Sequence, residues 1–140
     1  MKSSKFFAGG IIAAVVYFLL GYLFYGVLFK NFFDQNGMAT DMSKFTWWAM
    51  ILSTIAIGFL IAYVLSIAGV TSMGKGFAIG LIVGLLLELY IDLGMYAMGQ
   101  SMMNSVAIAV DVVITAVISS LAGIAVGMVY GTGKKEPAAD

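Results

Sequence analysis

Residues 76–98 read GFAIGLIVGLLLELYIDLGMYAM. Every fourth position (Gly76, Gly80, Gly84, Glu88, Asp92, Tyr96) interrupts an otherwise apolar run. Residues four apart fall on neighbouring turns of a helix. The row therefore has a first half without side chains and a second half with two carboxylates. At ~1.5 Å per residue the run is long enough to cross a ~30 Å hydrocarbon core. Residues 105–130 repeat the idea in the opposite order, with Asp111, Thr115 and Ser119 leading into Gly123, Gly127 and Gly131.

Two further apolar runs, 6–29 and 45–68, complete four predicted spans in a single domain covering residues 1–140. The expected fold is all-α, an integral membrane four-helix bundle. Composition agrees: 62% of the 140 residues are hydrophobic, more than a soluble domain of this size can bury. The first run is too long and too aromatic for a cleaved signal peptide, and it lacks a clear small-residue cleavage site. Trp47 and Trp48 sit where a span meets the headgroups. The linker 30–44 is polar enough to leave the bilayer, with Phe32 and Phe33 dipping into the interface.

Seven lysines balance seven acids, with no Arg, His or Cys. This excludes disulfides, thiolate or imidazole metal sites and Cys/His catalysis. No basic patch suggests a nucleic-acid partner, and no motif calls for a cofactor. The tail segment GTGKK lacks the first glycine and the hydroxyl of a phosphate loop. Lys2, Lys5, Lys75, Lys134 and Lys135 fall on one side of the four spans, against Lys30 and Lys44 on the other. The positive-inside rule then places both termini in the cytoplasm.

The chain also reads as two repeated hairpins. An offset of 71 aligns Gly9 with Gly80, Ala13 with Gly84 and Tyr25 with Tyr96; an offset of 65 aligns Thr54 with Ser119, Gly58 with Gly123 and Ala62 with Gly127. Both hairpins share one orientation, so a pseudo-two-fold would run along the membrane normal. Small residues four apart allow close backbone approach in lipid. The predicted packing residues are Gly58, Gly76, Gly80, Gly84, Gly123 and Gly127, all toward the lysine-rich side. Tyr17, Tyr25 and Tyr96 belong to the opposite, aromatic half, where bulky rings are expected to line a cavity.

The acids are the candidate site. Glu88 and Asp92 are one turn apart, and a tight turn after 98 brings Asp111 to the depth of Asp92, with Thr115 one turn deeper. A charged acid near the bilayer centre costs roughly 2.5–3.5 kcal/mol. Three carboxylates with no base among them are expected to hold a proton or a hard cation. Oxygen ligands suit Na⁺, Ca²⁺ or Mg²⁺ rather than soft metals; the spacing does not choose among them.

The segments GYLFYGVLF (21–29), LYIDLGMYAMG and AVDVVITAVISSLAGIAVGMVYG resemble a family of small four-span bacterial membrane proteins with no assigned activity. The resemblance implies four helices and a bacterial inner membrane. The function expected is a proton- or cation-linked carrier or small channel. The alternative is an accessory subunit that docks, on itself or on a membrane complex, through its small-residue ridges. Catalysis by an Asp92–Asp111 dyad is disfavoured, because Asp111 sits in AVDVV without the glycines of intramembrane aspartyl proteases. The lipid bilayer is the partner common to all these readings.

Overall fold

The computed structural model describes residues 3–39 and 41–132. Lys2, Lys134, Lys135 and most of the GTGKK segment lie outside the described residues, so the lysine asymmetry is represented there by Lys5 and Lys75 against Lys30 and Lys44.

The described residues form helices joined by short turns and linkers, with no strand among them. α1 runs Ser3–Gly21 and continues without a break as a π-helix over Tyr22–Leu28. The short α2 (Lys30–Gln35) and a 3₁₀ turn (Met42–Lys44) lead to α3 (Trp47–Ile67), followed by α4 (Met73–Ala97) and α5 (Ser105–Gly131). Among the described residues four stretches are long and apolar enough to cross a membrane: Ser3–Leu28, α3, α4 and α5. The fold is an all-α bundle, as the hydropathy pattern requires.

Helix boundaries follow local chemistry. Ser72 Oγ accepts from the Lys75 amide at 3.4 Å, and Asn104 Oδ1 accepts from the Ala107 amide at 2.9 Å. Each satisfies an amide that the first turn leaves unpaired. α3 and α4 end in left-handed glycines, Gly69 (φ 64°) and Gly99 (φ 69°), where a Cβ would be strained. In the 30–44 linker, Phe33 goes further than an interfacial dip. It is buried in a cluster with Ala107, Ile114 and Ile118. Asn36 and Asn104 tie this linker to the start of α5, with Asn104 Nδ2 donating to Asn36 Oδ1 at 2.6 Å.

α5 is the hub. It packs along α4 for its whole length, against α1 on another side and against α3 more locally. More than half of its residues are buried, whereas α4 buries Gly76, Gly80, Gly84 and Asp92 alone. Apart from Ile61 and Leu65 of α3, most large apolar side chains of α1, α3 and α4 point outward, toward what must be lipid. Apolar burial does not drive helices together in that solvent, so close contact and hydrogen bonds must.

Glycine supplies the close contact. A Cβ on Gly76 would run into the Gly123 carbonyl, one on Gly123 into the Gly76 carbonyl, and one on Gly80 into the Ser119 carbonyl. Further toward the lysine-rich end, Gly127 faces the Ser72 backbone, with the carbonyl oxygen 2.5 Å and its carbon 3.0 Å from a Cβ placed there. In the first hairpin a Cβ placed on Gly58 would lie 2.7 Å from the Gly10 carbonyl oxygen and 2.5 Å from the Ala14 nitrogen. The doublets Gly9-Gly10 and Ala13-Ala14 thus form two adjacent ridges. Gly10 and Ala14 meet α3, while Gly9 meets the Tyr130 ring and Ala13 joins the Ala122–Val126–Tyr130 cluster of α5. Tyr130 then crosses to α3, its hydroxyl donating to the Ala62 carbonyl at 2.9 Å.

The two crossings correspond. Gly10, Ala14 and Gly58 in one hairpin match Gly76, Gly80 and Gly123 in the other. The first-helix offset at the crossing is 66 rather than 71. The correspondence stops at the hairpins: α1 lies firmly on α5, yet its counterparts α3 and α4 barely touch.

Candidate functional site

The gap between α3 and α4 opens at the depth of the acids. Gly84 ends the glycine seam by leaving room for the Ser119 side chain. One turn further along α4 comes Glu88, then Asp92, and the antiparallel α5 brings Asp111 alongside. One carboxylate oxygen from each of the three lies within 4.8 Å of the others. Asp92 and Asp111 are each 4% exposed, and Glu88 is partly buried. Basic side chains are confined to helix ends and the linker, at Lys5, Lys75, Lys30 and Lys44 among the described residues.

Neutral hydroxyls surround the acids. The Tyr25 hydroxyl donates to Asp111 Oδ1. With that proton committed, its oxygen accepts from Thr115 Oγ1 at 3.1 Å. Tyr17 shares a hydrogen bond with Ser119 Oγ, the group Gly84 accommodates. Tyr25 belongs to the π-helical stretch, where the Phe29 amide reaches back five residues to the Phe24 carbonyl at 2.8 Å. π-turns recur at functional sites. Here the widened turn belongs to the segment that sets Tyr25 against α5. It coincides with GYLFYGVLF, and nothing in residue spacing distinguishes it from ordinary helix.

Among the described residues one buried side-chain oxygen has no partner: Asp92 Oδ2 is enclosed without a hydrogen bond. Leaving a buried polar oxygen unpaired costs about 1–3 kcal/mol, and more if it is charged. Three oxygens within 4.8 Å of one another are close enough to converge on a single proton or a hard cation, which takes oxygen ligands. The donor set thus fits a proton shared among the acids, or a hard cation.

Glu88 also faces a cavity of about 290 Å³ between the four helices. Its polar lining is Tyr17, Tyr25, Ser53, Thr54, Glu88 and Thr115, and its apolar wall includes Met50, Ile57, Leu87 and Ile91. The mouth lies between α3 and α4, where Ser53 and Ile91 are exposed. A second hollow of about 340 Å³, between α1 and α3, is lined by side chains such as Ile11, Val15, Ile51 and Ile55 and carries no acid.

Of the expected site residues, Glu88, Asp92, Asp111, Thr115, Tyr17 and Tyr25 come together. Tyr96 does not. It is 55% exposed and does not line the cavity. Tyr22, Trp47, Trp48 and Tyr90 are likewise on the outside, so two inward tyrosines, not a ring of aromatics, border the space. Ser53 and Thr54 of α3 were not foreseen as site residues. Their signal was a hydroxyl pair in the middle of a span, with Thr54 on the same row as Gly58. Outside the spans, Asp41 caps the 3₁₀ turn. The Ser43 hydroxyl and amide both donate to Asp41 Oδ1 and hold its carboxyl below the usual range. Comparison with protein-family models, curated proteins and solved structures finds no match to this chain.

Proposed function

We propose that this chain is a small membrane carrier or channel that exchanges a proton or hard cation at Glu88, Asp92 and Asp111. The observation behind this is the convergence of three carboxylates on two helices, with no base beside them and one Asp92 oxygen buried and unpaired. Like charges this close in low dielectric do not all remain ionised and bare. They titrate as one unit, so the proton belongs to the group. Tyr25 and Thr115 hold Asp111 in place, and Glu88 connects the group to the cavity.

The sequence resemblance and the lysine asymmetry support a bacterial inner membrane with both termini inside. Cysteines at Asn36 and Ser72 should then label from opposite faces, Asn36 from outside. The accessory-subunit reading loses its docking surface, because the ridge glycines are occupied within the bundle.

The test is proton or cation flux in proteoliposomes, with carboxyl infrared difference spectra across a pH titration. Glu88→Gln and Asp92→Asn should each abolish flux while the helix content and thermal midpoint are retained. Unchanged flux in both variants, or fully ionised carboxyls at pH 7 in cation-free buffer, overturns the proposal.

A further inference from the structure

Most hydroxyl protons of the cavity wall are already committed. Ser53 Oγ donates to the Met50 carbonyl at 2.8 Å, and Thr54 Oγ1 donates to the Ile51 carbonyl at 2.9 Å. Such back-bonding is the usual fate of a hydroxyl in a membrane helix. Tyr25 gives its proton to Asp111, and Thr115 gives its proton to Tyr25. What these groups still offer to the space is lone pairs. Glu88 adds a carboxylate, and the rest of the wall is largely aliphatic and aromatic. A wall rich in acceptors, Glu88 among them, repels anions and leaves the donors of a cation satisfied.

The route matters equally. The mouth lies between two apolar helices rather than at a loop. Its rim has Ser53 on one side and Ile91 on the other. A hydrated inorganic ion would have to shed its water to enter from the bilayer. An organic cation with an apolar body would not, because it partitions with its body in the hydrocarbon. The volume of about 290 Å³ is at the small end of the ~300–1,000 Å³ typical of small-molecule sites. That suits one ring or a short chain, not a two-chain lipid.

We infer that the α3–α4 cavity binds a small lipophilic amine as its ammonium ion. The N–H groups donate to Glu88 and the wall hydroxyls, and the apolar body lies against Met50, Ile57, Leu87 and Ile91. Tyr17 and Tyr25 supply aromatic surface suited to a cation. The inference rests on the carboxylate reading above and adds a second occupant, which would compete with the proton or metal ion for Glu88.

Phenethylammonium is the probe, titrated calorimetrically into the full-length protein in an uncharged maltoside detergent at pH 7, with phenethyl alcohol as the neutral control. One saturable site is expected for the ammonium and none for the alcohol. Glu88→Gln should weaken binding at least tenfold. Ser53→Trp, which fills the mouth while every acid stays in the sequence, should do the same, whereas Leu86→Ala on the outer face of α4 should not. No saturable binding, or binding that survives both Glu88→Gln and Ser53→Trp, overturns the inference. If the amine fails to bind while flux still depends on Glu88, the cavity proposal falls and the carboxylate reading stands. If the amine binds through Glu88 but neither acid substitution alters flux, the carrier reading falls and the amine site stands.

Discussion

Gly76–Gly84 and Glu88–Asp92 belong to one row on one helix, yet they build opposite environments. Along the first segment α4 meets α5 backbone to backbone, with glycine carbonyls where side chains would be. Along the second, the same pair of helices holds three carboxylates, and the neighbouring α3 stands away. The same spacing therefore seals one half of the bundle and opens the other. What differs is the presence of a Cβ. Close approach supplies the attraction that lipid does not, and it also anchors the part of the bundle that must tolerate buried acids.

The comparison breaks first at the glycines. Gly80→Leu and Gly127→Leu should lower stability by ~1–3 kcal/mol or more, since the obstacle is backbone rather than a rotatable side chain. Gly94→Leu, on the same helix but with open space around it, should cost nothing and gain helix propensity. Thermal unfolding in detergent reads all three. Equal midpoints would remove the distinction between the halves.

Next come two of the tyrosines that join the hairpins. Tyr25→Phe strands Asp111 Oδ1 and should cost ~1–3 kcal/mol, as for a buried group losing a charge-assisted bond. Tyr130→Phe, in the sealed half, loses one neutral bond to a carbonyl and should cost about 0.6 kcal/mol. A reversed order would mean that the open half does not depend on this hydroxyl.

The smallest effect belongs to Asp41, in the linker outside both halves. A carboxyl held low contributes stability above its unfolded-state value, and that contribution disappears as pH falls through the folded-state value. Asp41 is exposed, so Asp41→Asn should leave the neutral-pH midpoint unchanged and alter only the local turn. Carboxyl NMR of Asp41 on acidification checks the direction.

Much of this was legible in the residues. Span positions followed from hydropathy, the glycine seam from the four-residue row, and the meeting of Glu88, Asp92 and Asp111 from the tight turn that makes α4 and α5 antiparallel. Rotation was harder. A four-residue step drifts around a 3.6-residue helix, so Tyr96 continues the row in sequence but leaves the interface in space. The π-helical turn at Tyr22–Leu28 adds a second rotation that no spacing rule anticipates. The Gly9-Gly10 and Ala13-Ala14 doublets did carry the information that α1 serves two neighbours, one ridge for each. The separation of α3 from α4 was not legible, because a pairwise repeat predicts a contact there.

The hub position of α5 has a consequence for biosynthesis. α5 is strongly apolar, like the other spans, yet most of it is screened from lipid in the finished bundle. α4 meets lipid over most of its surface while carrying two of the three acids. A segment is admitted to the bilayer on its own hydropathy, before its neighbours are in place. The apolar character of α5 therefore answers to the insertion machinery rather than to its final surroundings. Sites in α5 that look free to become polar because they never touch lipid are constrained by that earlier step.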